Sequence, residues 1–308
     1  MKKLLTLILI LALALSLGMT AGAEGADISA LTVTSPGGAP ALALATLAAE
    51  NPGQYTYVAA DAIAGVFAKA ESDFIIAPVN AGAKLYKAGK STYKLAAVVS
   101  WGNLYIASQK EGLTAESLNG ADITLFGENT INASVVLYAL KANSIEPAKT
   151  EYLAGASETQ ALLLSDGNAV VVTAEPALTA AKMKNDKITA IAVNDLLRKA
   201  DGSEGYTQAA LFVRAETLEN NPDAVKAFLA AAEEACGKCS TDIEAAAAAA
   251  VQLEILPNAK VAAAAIPGCA IRFVSAADVR EALEKTAAID LSQFGGAVPA
   301  DDFYYGAQ

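Results

Sequence analysis

Histidine is absent from all 308 residues of the chain. That absence excludes Ser-His-Asp and Cys-His catalysis, histidine general bases and histidine-containing zinc sites. Any enzyme built on this chain would have to use carboxylate, Lys, Tyr or Cys chemistry. An enzyme of that kind stays open as an alternative function.

Cysteine is also scarce, with only Cys236, Cys239 and Cys269. The pair in "CGKC" lacks the surrounding βαβ pattern of a thioredoxin-type redox motif. Together with Cys269, the pair could supply three thiolates to a metal. In an oxidising compartment we favour a disulfide between Cys236 and Cys239, with Cys269 as a buried thiol.

Positive charge is sparse, and the first arginine is Arg198. The net charge is −11, and no basic block interrupts the acidic character. Such a chain is a poor candidate for nucleic acid or an anionic membrane surface, so we expect neither partner. The chain is 54% apolar, which suits one large domain or two medium ones.

The N-terminal sequence predicts export. Lys2 and Lys3 precede an apolar run at 4–17 that is short for a membrane span, and residues 21–23 form an A-x-A cleavage site. Removal of residues 1–23 would change the net charge to −13, because the segment holds two Lys and no acid. Small residues extend the apolar run to Ala23, so an uncleaved anchor is the alternative. The segment has no Cys that could carry a lipid.

Short apolar strands alternate with amphipathic helices in two successive units, which predicts an α/β fold with doubly wound, mostly parallel sheets. The stretches 72–85 and 167–181 share one plan, in which a buried strand leads through a proline step into a helix. Asn80 lies at the first step and Glu175 at the second. Ligands of parallel sheets bind beyond the carboxyl ends of the strands, so both residues are predicted to face one cleft.

Other candidate ligand contacts occupy turns and crossings. The Gly-rich turn at 34–40 could present backbone N–H groups to a ligand, although a plain tight turn explains it equally well. The "GENT" stretch at 127–130 has the same placement in the second unit, where its residues are contacts or helix caps. In "SWGN", a tryptophan before a glycine suggests a bend with an aromatic wall, and a core tryptophan is the alternative. The candidate ligand-binding set is Ser35, Gly37, Gly38, Asn80, Trp101, Gly102, Asn103, Asn129, Thr130, Glu175 and Tyr206.

The segment 73–108, with Pro78-Val79-Asn80 and Gly102-Asn103-Leu104-Tyr105, resembles solute-binding proteins of bacterial ABC importers. The branch is that of nitrate, sulfonate, taurine and thiamine-pyrimidine precursors. "AEPAL" resembles the second-lobe step of these proteins, and "IPGCAIRFV" and "GGAVPADDFYY" resemble their C-terminal segment. Relatives from Gram-positive bacteria carry a lipid-modified Cys, which this chain lacks. Some relatives make the thiamine pyrimidine with His and iron, a route closed to a chain without histidine.

The resemblance implies a type II periplasmic-binding-protein fold and a monomer that delivers a small nutrient to an ABC permease in the membrane. It implies no catalytic residue, metal or cofactor. The first lobe would comprise 27–104 and 212–308, and the second 105–211. The hinges would lie near Asn103–Tyr105 and Ala209–Leu211. The protein would be exported to the periplasm or the extracellular face of the membrane, without a lipobox tether.

The cleft residues predict the chemistry of the ligand. Glu128 and Glu175 would lie on the rim of the second lobe, and no arginine is available from the first 197 residues. A carboxylate repels a bound anion, more so as water leaves the cleft. We therefore expect a small ligand with an amine, amidine or aminopyrimidine-like donor edge. Backbone N–H groups at Gly37, Gly38 and Thr130 could still hold an anion.

Overall fold

The computed structural model describes residues 26–306, which form two lobes. The strands of the first lobe are β1 (Val33–Pro36), β2 (Tyr55–Val58), β3 (Phe74–Pro78), β4 (Tyr93–Ser100), β10 (Ala209–Arg214) and β11 (Ile271–Ser275). They form a six-stranded sheet in the order β11-β4-β10-β3-β1-β2. The strands of the second lobe are β5 (Leu104–Ser108), β6 (Asp122–Phe126), β7 (Lys149–Leu153), β8 (Val170–Ala174) and β9 (Thr189–Ala192). They form a five-stranded sheet in the order β7-β6-β8-β5-β9.

Helices connect the strands of both sheets. Those of the first lobe are α1 (Ala39–Leu42), α2 (Ala45–Glu50), α3 (Ile63–Lys69), α4 (Val79–Lys87), α9 (Ala215–Asn220), α10 (Pro222–Thr241), α11 (Ile243–Gln252), α12 (Ala259–Ala265) and α13 (Arg280–Ile289). Those of the second lobe are α5 (Ile131–Ala142), α6 (Ala156–Ser165), α7 (Ala177–Lys182) and α8 (Val193–Asp201). A 3-10 turn at Ile266–Cys269 follows α12.

The predicted two-lobe α/β fold is confirmed, but the sheets are mixed rather than mostly parallel. Strand β1 runs parallel to β2 and β3, whereas β10 runs antiparallel to β3 and β4. In the other sheet β6 runs parallel to β7 and β8, whereas β5 runs antiparallel to β8 and β9. The cause is the path of the chain between the lobes. Strand β5 enters the second lobe from the first, and β10 enters the first lobe from the second. Each therefore runs antiparallel to its neighbours in the sheet, whose carboxyl ends point toward the other lobe.

Two short crossings join the lobes. Trp101, Gly102 and Asn103 alone separate β4 from β5. The return crossing is 202–208, between α8 and β10, so the structure places Ala209–Leu211 inside a strand of the first sheet. A Cβ on Gly205 would lie 2.2 Å from the Trp101 carbonyl oxygen, so the main chains of the two crossings are in direct contact.

Both faces of the first sheet are buried. Ile75 and Ala77 of β3 contribute to one apolar cluster, and Phe74 and Ile76 contribute to another on the opposite face. Phe74 stacks on Phe228 of α10 at a centroid distance of 4.1 Å. Aromatic pairs of this kind add about 0.5–1.5 kcal/mol beyond the area they bury. Successive side chains of β3 therefore alternate between the two apolar clusters, as expected of a strand buried on both faces.

The predicted Cys236–Cys239 disulfide is wrong, because all three cysteines are free and buried. Both members of the pair lie inside α10, and they point into different apolar clusters: Cys236 packs with Phe74 and Phe228, while Cys239 packs with Cys269. Burial raises the pKa of the Cys239 thiol to about 12, which keeps it protonated at neutral pH.

The predicted signal peptide at 1–23 lies outside the described residues. Among residues 26–306, no helix has the length and apolar character to cross a membrane.

Candidate functional site

The carboxyl edge of the first sheet faces the second lobe. Strand β4 runs in the same direction as β3, because both pair antiparallel with β10. At Ser100, β4 ends and the chain passes directly into the crossing to the second lobe. The carboxyl ends of β1, β2 and β3 lie on that same edge, since these strands run parallel to one another.

The carboxyl edge of the second sheet faces back. Leu104, the first residue of β5 after the crossing, pairs antiparallel with Ala174, the last residue of β8. Strands β6 and β7 run parallel to β8 and end on the same edge. The two carboxyl edges therefore oppose each other between the lobes, the position where open α/β sheets bind ligands.

The Gly-rich turn after β1 lies at this edge of the first lobe. Ser35 is buried, and its hydroxyl donates to the Pro36 carbonyl at 2.9 Å. Gly37 and Gly38 have open space around them, since a Cβ on either would meet nothing within 4 Å. Gly38 has φ +85°, a conformation that favours glycine. The turn thus has open space beside its main chain, while the Ser35 hydroxyl already makes a hydrogen bond.

Asn80 is a polar side chain at this edge that is free to bind a solute. It is the second residue of α4, it is partly exposed, and its side chain makes no hydrogen bond to any residue between 26 and 306. The helix start is fixed independently, because the Val79 N–H donates to the Gln208 carbonyl at 3.0 Å. Pro78 supplies no side-chain cap to α4. An unpartnered amide at an uncapped helix start can both donate to and accept from a bound solute.

The "GENT" stretch meets the first lobe at the opposite edge. Asn129 adopts φ +59°, and its carbonyl accepts from the Gln293 side chain at 2.9 Å. The Thr130 hydroxyl donates to the Gly127 carbonyl at 2.6 Å and caps α5 through the Ala133 N–H at 3.4 Å. Helix capping therefore accounts for Thr130, and a loop-to-lobe contact accounts for the Asn129 main chain.

Glu175 is the buried acid of the site, with 7% of its surface exposed. Its carboxylate accepts from the Thr179 N–H at 3.0 Å and from the Thr179 hydroxyl at 2.8 Å. Burial raises the pKa of the Glu175 carboxyl, and these hydrogen bonds only partly oppose the effect. Each oxygen accepts one hydrogen bond within the described chain, so each retains a lone pair for a ligand donor.

Glu175 also lies where the two lobes touch. A Cβ on Gly268 of the first lobe would lie 2.9 Å from Glu175 Cγ and 2.9 Å from the Tyr105 hydroxyl. That hydroxyl donates to the Gly268 carbonyl at 3.0 Å. Burial, with the nearby Glu175 charge, raises the pKa of Tyr105 to about 12. Helices α12 and α7 pack together at the same contact.

Asn103 belongs to a buried amide chain. Its side-chain NH₂ donates to the Glu175 carbonyl at 2.6 Å, and its side-chain oxygen accepts from Gln208 Nε2 at 2.8 Å. Gln208 in turn accepts from the Ser100 hydroxyl at 2.9 Å. This chain ties both crossings to Glu175 and, through the Gln208 carbonyl, to the start of α4. Gln208 and Thr179 are not among the residues predicted from the sequence. The one feature that could have indicated Gln208 is its place as a polar residue directly before a buried strand.

Trp101, Gly102 and Tyr206 pack the crossings. The Trp101 indole donates to the Arg272 carbonyl at 2.9 Å, and the Arg272 guanidinium covers its ring at 4.4 Å from the centroid. The Tyr206 hydroxyl is buried and donates to Asn132 at 2.8 Å. Gly102 has φ +88°, and a Cβ there would lie 2.5 Å from the Tyr206 ring. These contacts place the three residues in the packing of the crossings, and their predicted ligand contacts stay predictions.

The family profile described as NMT1/THI5 like matches residues 79–246, more than half of the chain. The chain belongs to the NMT1/THI5-like family. The match begins at Val79, beside Asn80, and runs through the whole second lobe and the second crossing. No curated protein matches the chain in a sequence search.

Solved structures share the fold over nearly the whole described chain. An ABC transporter protein from Parabacteroides distasonis superimposes with a TM-score of 0.78 and 22% identity, covering 91% of this chain and all of its own. The periplasmic aliphatic sulphonate binding protein SsuA from Escherichia coli has a TM-score of 0.69, 15% identity and coverage of 90% and 92%.

A third similar structure is the ligand-binding component of an ABC-type import system from Staphylococcus aureus with zinc bound. It has a TM-score of 0.65, 12% identity and coverage of 90% and 98%. In this chain, residues 26–306 contain no group of three His, Cys, Asp or Glu that could hold a metal ion.

Proposed function

We propose that this protein is an exported solute-binding protein that captures a small nutrient between its lobes and delivers it to an ABC importer permease. The observation that carries the proposal is the pair of opposed carboxyl edges, one with the free Asn80 side chain and the other with the buried Glu175. Amides and carboxylates hold and orient a ligand without an activated nucleophile. Two of the three similar structures are named as parts of ABC transport systems and the other as a periplasmic sulphonate binding protein, and these names support the same function.

The lobes are proposed to close around the ligand by rotating about the crossings. We place the hinges at 101–103 and 202–208, so the first lobe is 27–100 with 209–306, and the second is 104–201. These bounds differ by up to ten residues from those expected from the sequence, because β10 belongs wholly to the first sheet and the crossing residues are assigned to neither lobe. The closed monomer would dock on the permease.

The ligand is proposed to carry a hydrogen-bond donor edge. Glu175 has no basic partner within 4 Å in the described chain, and each of its oxygens can accept one more hydrogen bond. A ligand amine or amidine would satisfy that capacity, and Asn80 would fix the ligand's orientation from the other edge. The mature N-terminus is proposed to be Glu24, after cleavage of the signal peptide.

A thermal-shift screen of the mature protein against small amines, amidines, nitrate and alkyl sulfonates tests the function. A solute at 100 times its Kd should add about 2.7 kcal/mol of stability. The failure of every nutrient class to shift the transition, or turnover of a solute that does bind, would contradict a transport role. Tight binding of nitrate or an alkyl sulfonate would contradict the donor-edge ligand alone.

Two substitutions then test the site with the solute found. Glu175→Gln should lose about 1.5–3 kcal/mol of binding free energy if the carboxylate holds a ligand donor. Asn80→Ala should weaken binding as well, whereas Asn220→Ala, at the exposed end of α9, should leave the affinity unchanged. If Glu175→Gln binds the solute with wild-type affinity, the carboxylate has only a structural role at the contact between the lobes.

A further inference from the structure

A cavity of about 440 Å³ lies in the first lobe, between α4 and the C-terminal segment. Residues 297–300 form one wall of this cavity, and we call them the strap. Most of the lining is apolar, with the side chains of Ala83, Phe294, Ala297, Val298, Pro299, Ala300 and Phe303. None of the eleven candidate ligand residues lines the cavity, so it is separate from the cleft. Its volume and its apolar, aromatic walls are typical of sites for small molecules.

The strap covers the cavity without filling it. It is held at its two ends, because the Gly296 N–H donates to the Leu291 carbonyl at 2.7 Å and the Ala300 carbonyl accepts from the Phe303 N–H at 3.1 Å. Between these bonds, the main chain of 297–299 makes no hydrogen bond within residues 26–306. The strap can therefore move aside to admit a small molecule and settle over it, while the two buried phenylalanine rings beneath it stay in place.

The end of α4 brings positive charge to the cavity. Lys87 lines it, and its ammonium donates to the Gly295 carbonyl at 2.8 Å, which leaves two of its three donors without a partner in the described chain. Lys84 lies one turn earlier on α4, and a Cβ on Gly295 would lie within 3.8 Å of both lysines. Neither lysine forms an ion pair with another residue between 26 and 306. The stretch 74–110 has no Asp or Glu, so this end of the cavity is a positive site on an acidic protein.

Asp302 is the acid among the residues that line the cavity. Its carboxylate accepts from the Tyr86 hydroxyl at 3.1 Å. The neighbouring Asp301 forms an ion pair with Arg280 at 2.6 Å. Both acids are thus engaged within the protein, whereas Lys87 keeps donors for a bound group. An anionic head is the complement of an ammonium at the edge of an apolar cavity.

We propose that this cavity binds a small amphiphile with an anionic head, such as a medium-chain carboxylate. The alkyl chain lies under the strap against the buried rings, and the carboxylate accepts from Lys87. An anionic membrane is the alternative partner with the same chemistry. The cavity favours a free molecule, because its aromatic rings are buried and Val298 is the one large apolar side chain of the lining that is exposed. Binding at this site goes beyond the proposed transport function and does not depend on it.

The length of the alkyl chain gives the first test, by calorimetric titration of the mature protein. Each methylene buried under the strap should raise the affinity about fourfold. Octanoate should therefore bind about fifteenfold more tightly than hexanoate, with one site per chain. Octanoate should also bind more tightly than octylamine, because Lys87 repels an ammonium head.

Two substitutions with matched controls locate the site. Ala297→Leu fills the space under the strap and should weaken octanoate binding about tenfold, by displacing about two methylenes. Ala88→Leu, at the exposed end of α4 and outside the lining, should leave the affinity unchanged. Lys87→Gln should weaken octanoate binding about two- to fivefold, as expected for a solvent-exposed ion pair, and leave octanol binding unchanged. Lys184→Gln, exposed on the second lobe, should change neither affinity.

The inference is overturned if octanoate does not bind, if the affinity does not rise with chain length, if octylamine binds more tightly, or if Lys87→Gln binds octanoate like wild type. These measurements decide the question even where Ala297→Leu does not fold. Binding to vesicles of anionic lipid without binding to octanoate would assign the surface to a membrane and overturn the inference as well. Glu175→Gln should bind octanoate like wild type, and a loss there would place octanoate in the cleft instead. A failed nutrient screen with octanoate bound under the strap would refute the proposed function alone.

Discussion

Replacing Gly268 by alanine tests the contact between the lobes. Gly268 lies in the 3-10 turn of the first lobe, and its missing side chain makes room for two groups of the second. An added Cβ would lie 2.9 Å from Glu175 Cγ, 2.9 Å from the Tyr105 hydroxyl and 3.1 Å from Glu175 Oε1. Carbon atoms pack at about 3.5–4.0 Å, so the lobes or these side chains must separate by about 0.5–1 Å.

The size of the effect follows from two opposing contributions. Overpacking of this degree costs about 1–3 kcal/mol. Replacing glycine, where the backbone permits it, returns about 0.4–1 kcal/mol by restricting the unfolded chain. We expect a net loss of about 1–2 kcal/mol in the free energy of unfolding, seen as a fall of roughly 2–8 °C in the melting temperature.

Denaturant unfolding of the protein without ligand measures this loss, and small-angle scattering reports the separation of the lobes. Gly65→Ala is the control, because Gly65 is exposed in α3 and a Cβ there meets nothing within 4 Å. That substitution should stabilise the protein by up to about 1 kcal/mol. Wild-type stability together with a wild-type radius of gyration in Gly268→Ala would show that the lobes do not meet at Glu175 in solution.

Three further outcomes are expected. Thiol titration should find three free thiols in the denatured protein. The native protein should hardly react, because Cys236, Cys239 and Cys269 are buried. A single free thiol after denaturation would show that two of the cysteines form a disulfide. The pKa of Glu175 is raised in the folded state above its ordinary value of 4.5, so its contribution to stability is full below that value and is lost as pH rises through the raised pKa. The stability of Glu175→Gln relative to wild type, from urea unfolding, should therefore increase between pH 4 and pH 7; a flat difference would contradict the burial. Asn103→Ala leaves two buried hydrogen-bond partners unpaired and should cost about 2–4 kcal/mol in the same assay, and a loss under about 0.5 kcal/mol would contradict the amide chain.

The sequence located the parts of the site that depend on local pattern. Asn80 and Glu175 each follow an apolar strand and lie beside a proline, Asn80 two residues after Pro78 and Glu175 directly before Pro176, and that pattern alone predicts their place at the carboxyl ends of strands. The two-lobe class followed from the alternation of strands and helices. The spacing of three residues between Cys236 and Cys239 also fits their position within one helix. The disulfide was nevertheless predicted, because an exported protein meets an oxidising compartment.

The features of the fold and the candidate site that could not be predicted from the sequence depend on contacts between distant segments. Trp101 meets the main chain of Arg272, and Gln208 meets Asn103 across the two crossings; nothing in the local sequence of either pair encodes the partner. The mixed strand directions arise because the chain enters and leaves each lobe, a property of the whole path. Residues with polar tips at a bend, such as Tyr206, look alike from sequence whether they bind a ligand or pack a hinge.

The structure of the protein with its solute bound tests the central claim most directly. The account predicts unaltered solute between the two carboxyl edges, in contact with Asn80 and, through a donor group, with the Glu175 carboxylate. Solute bound on an outer face of a lobe, or found as a reaction product between the lobes, would contradict it.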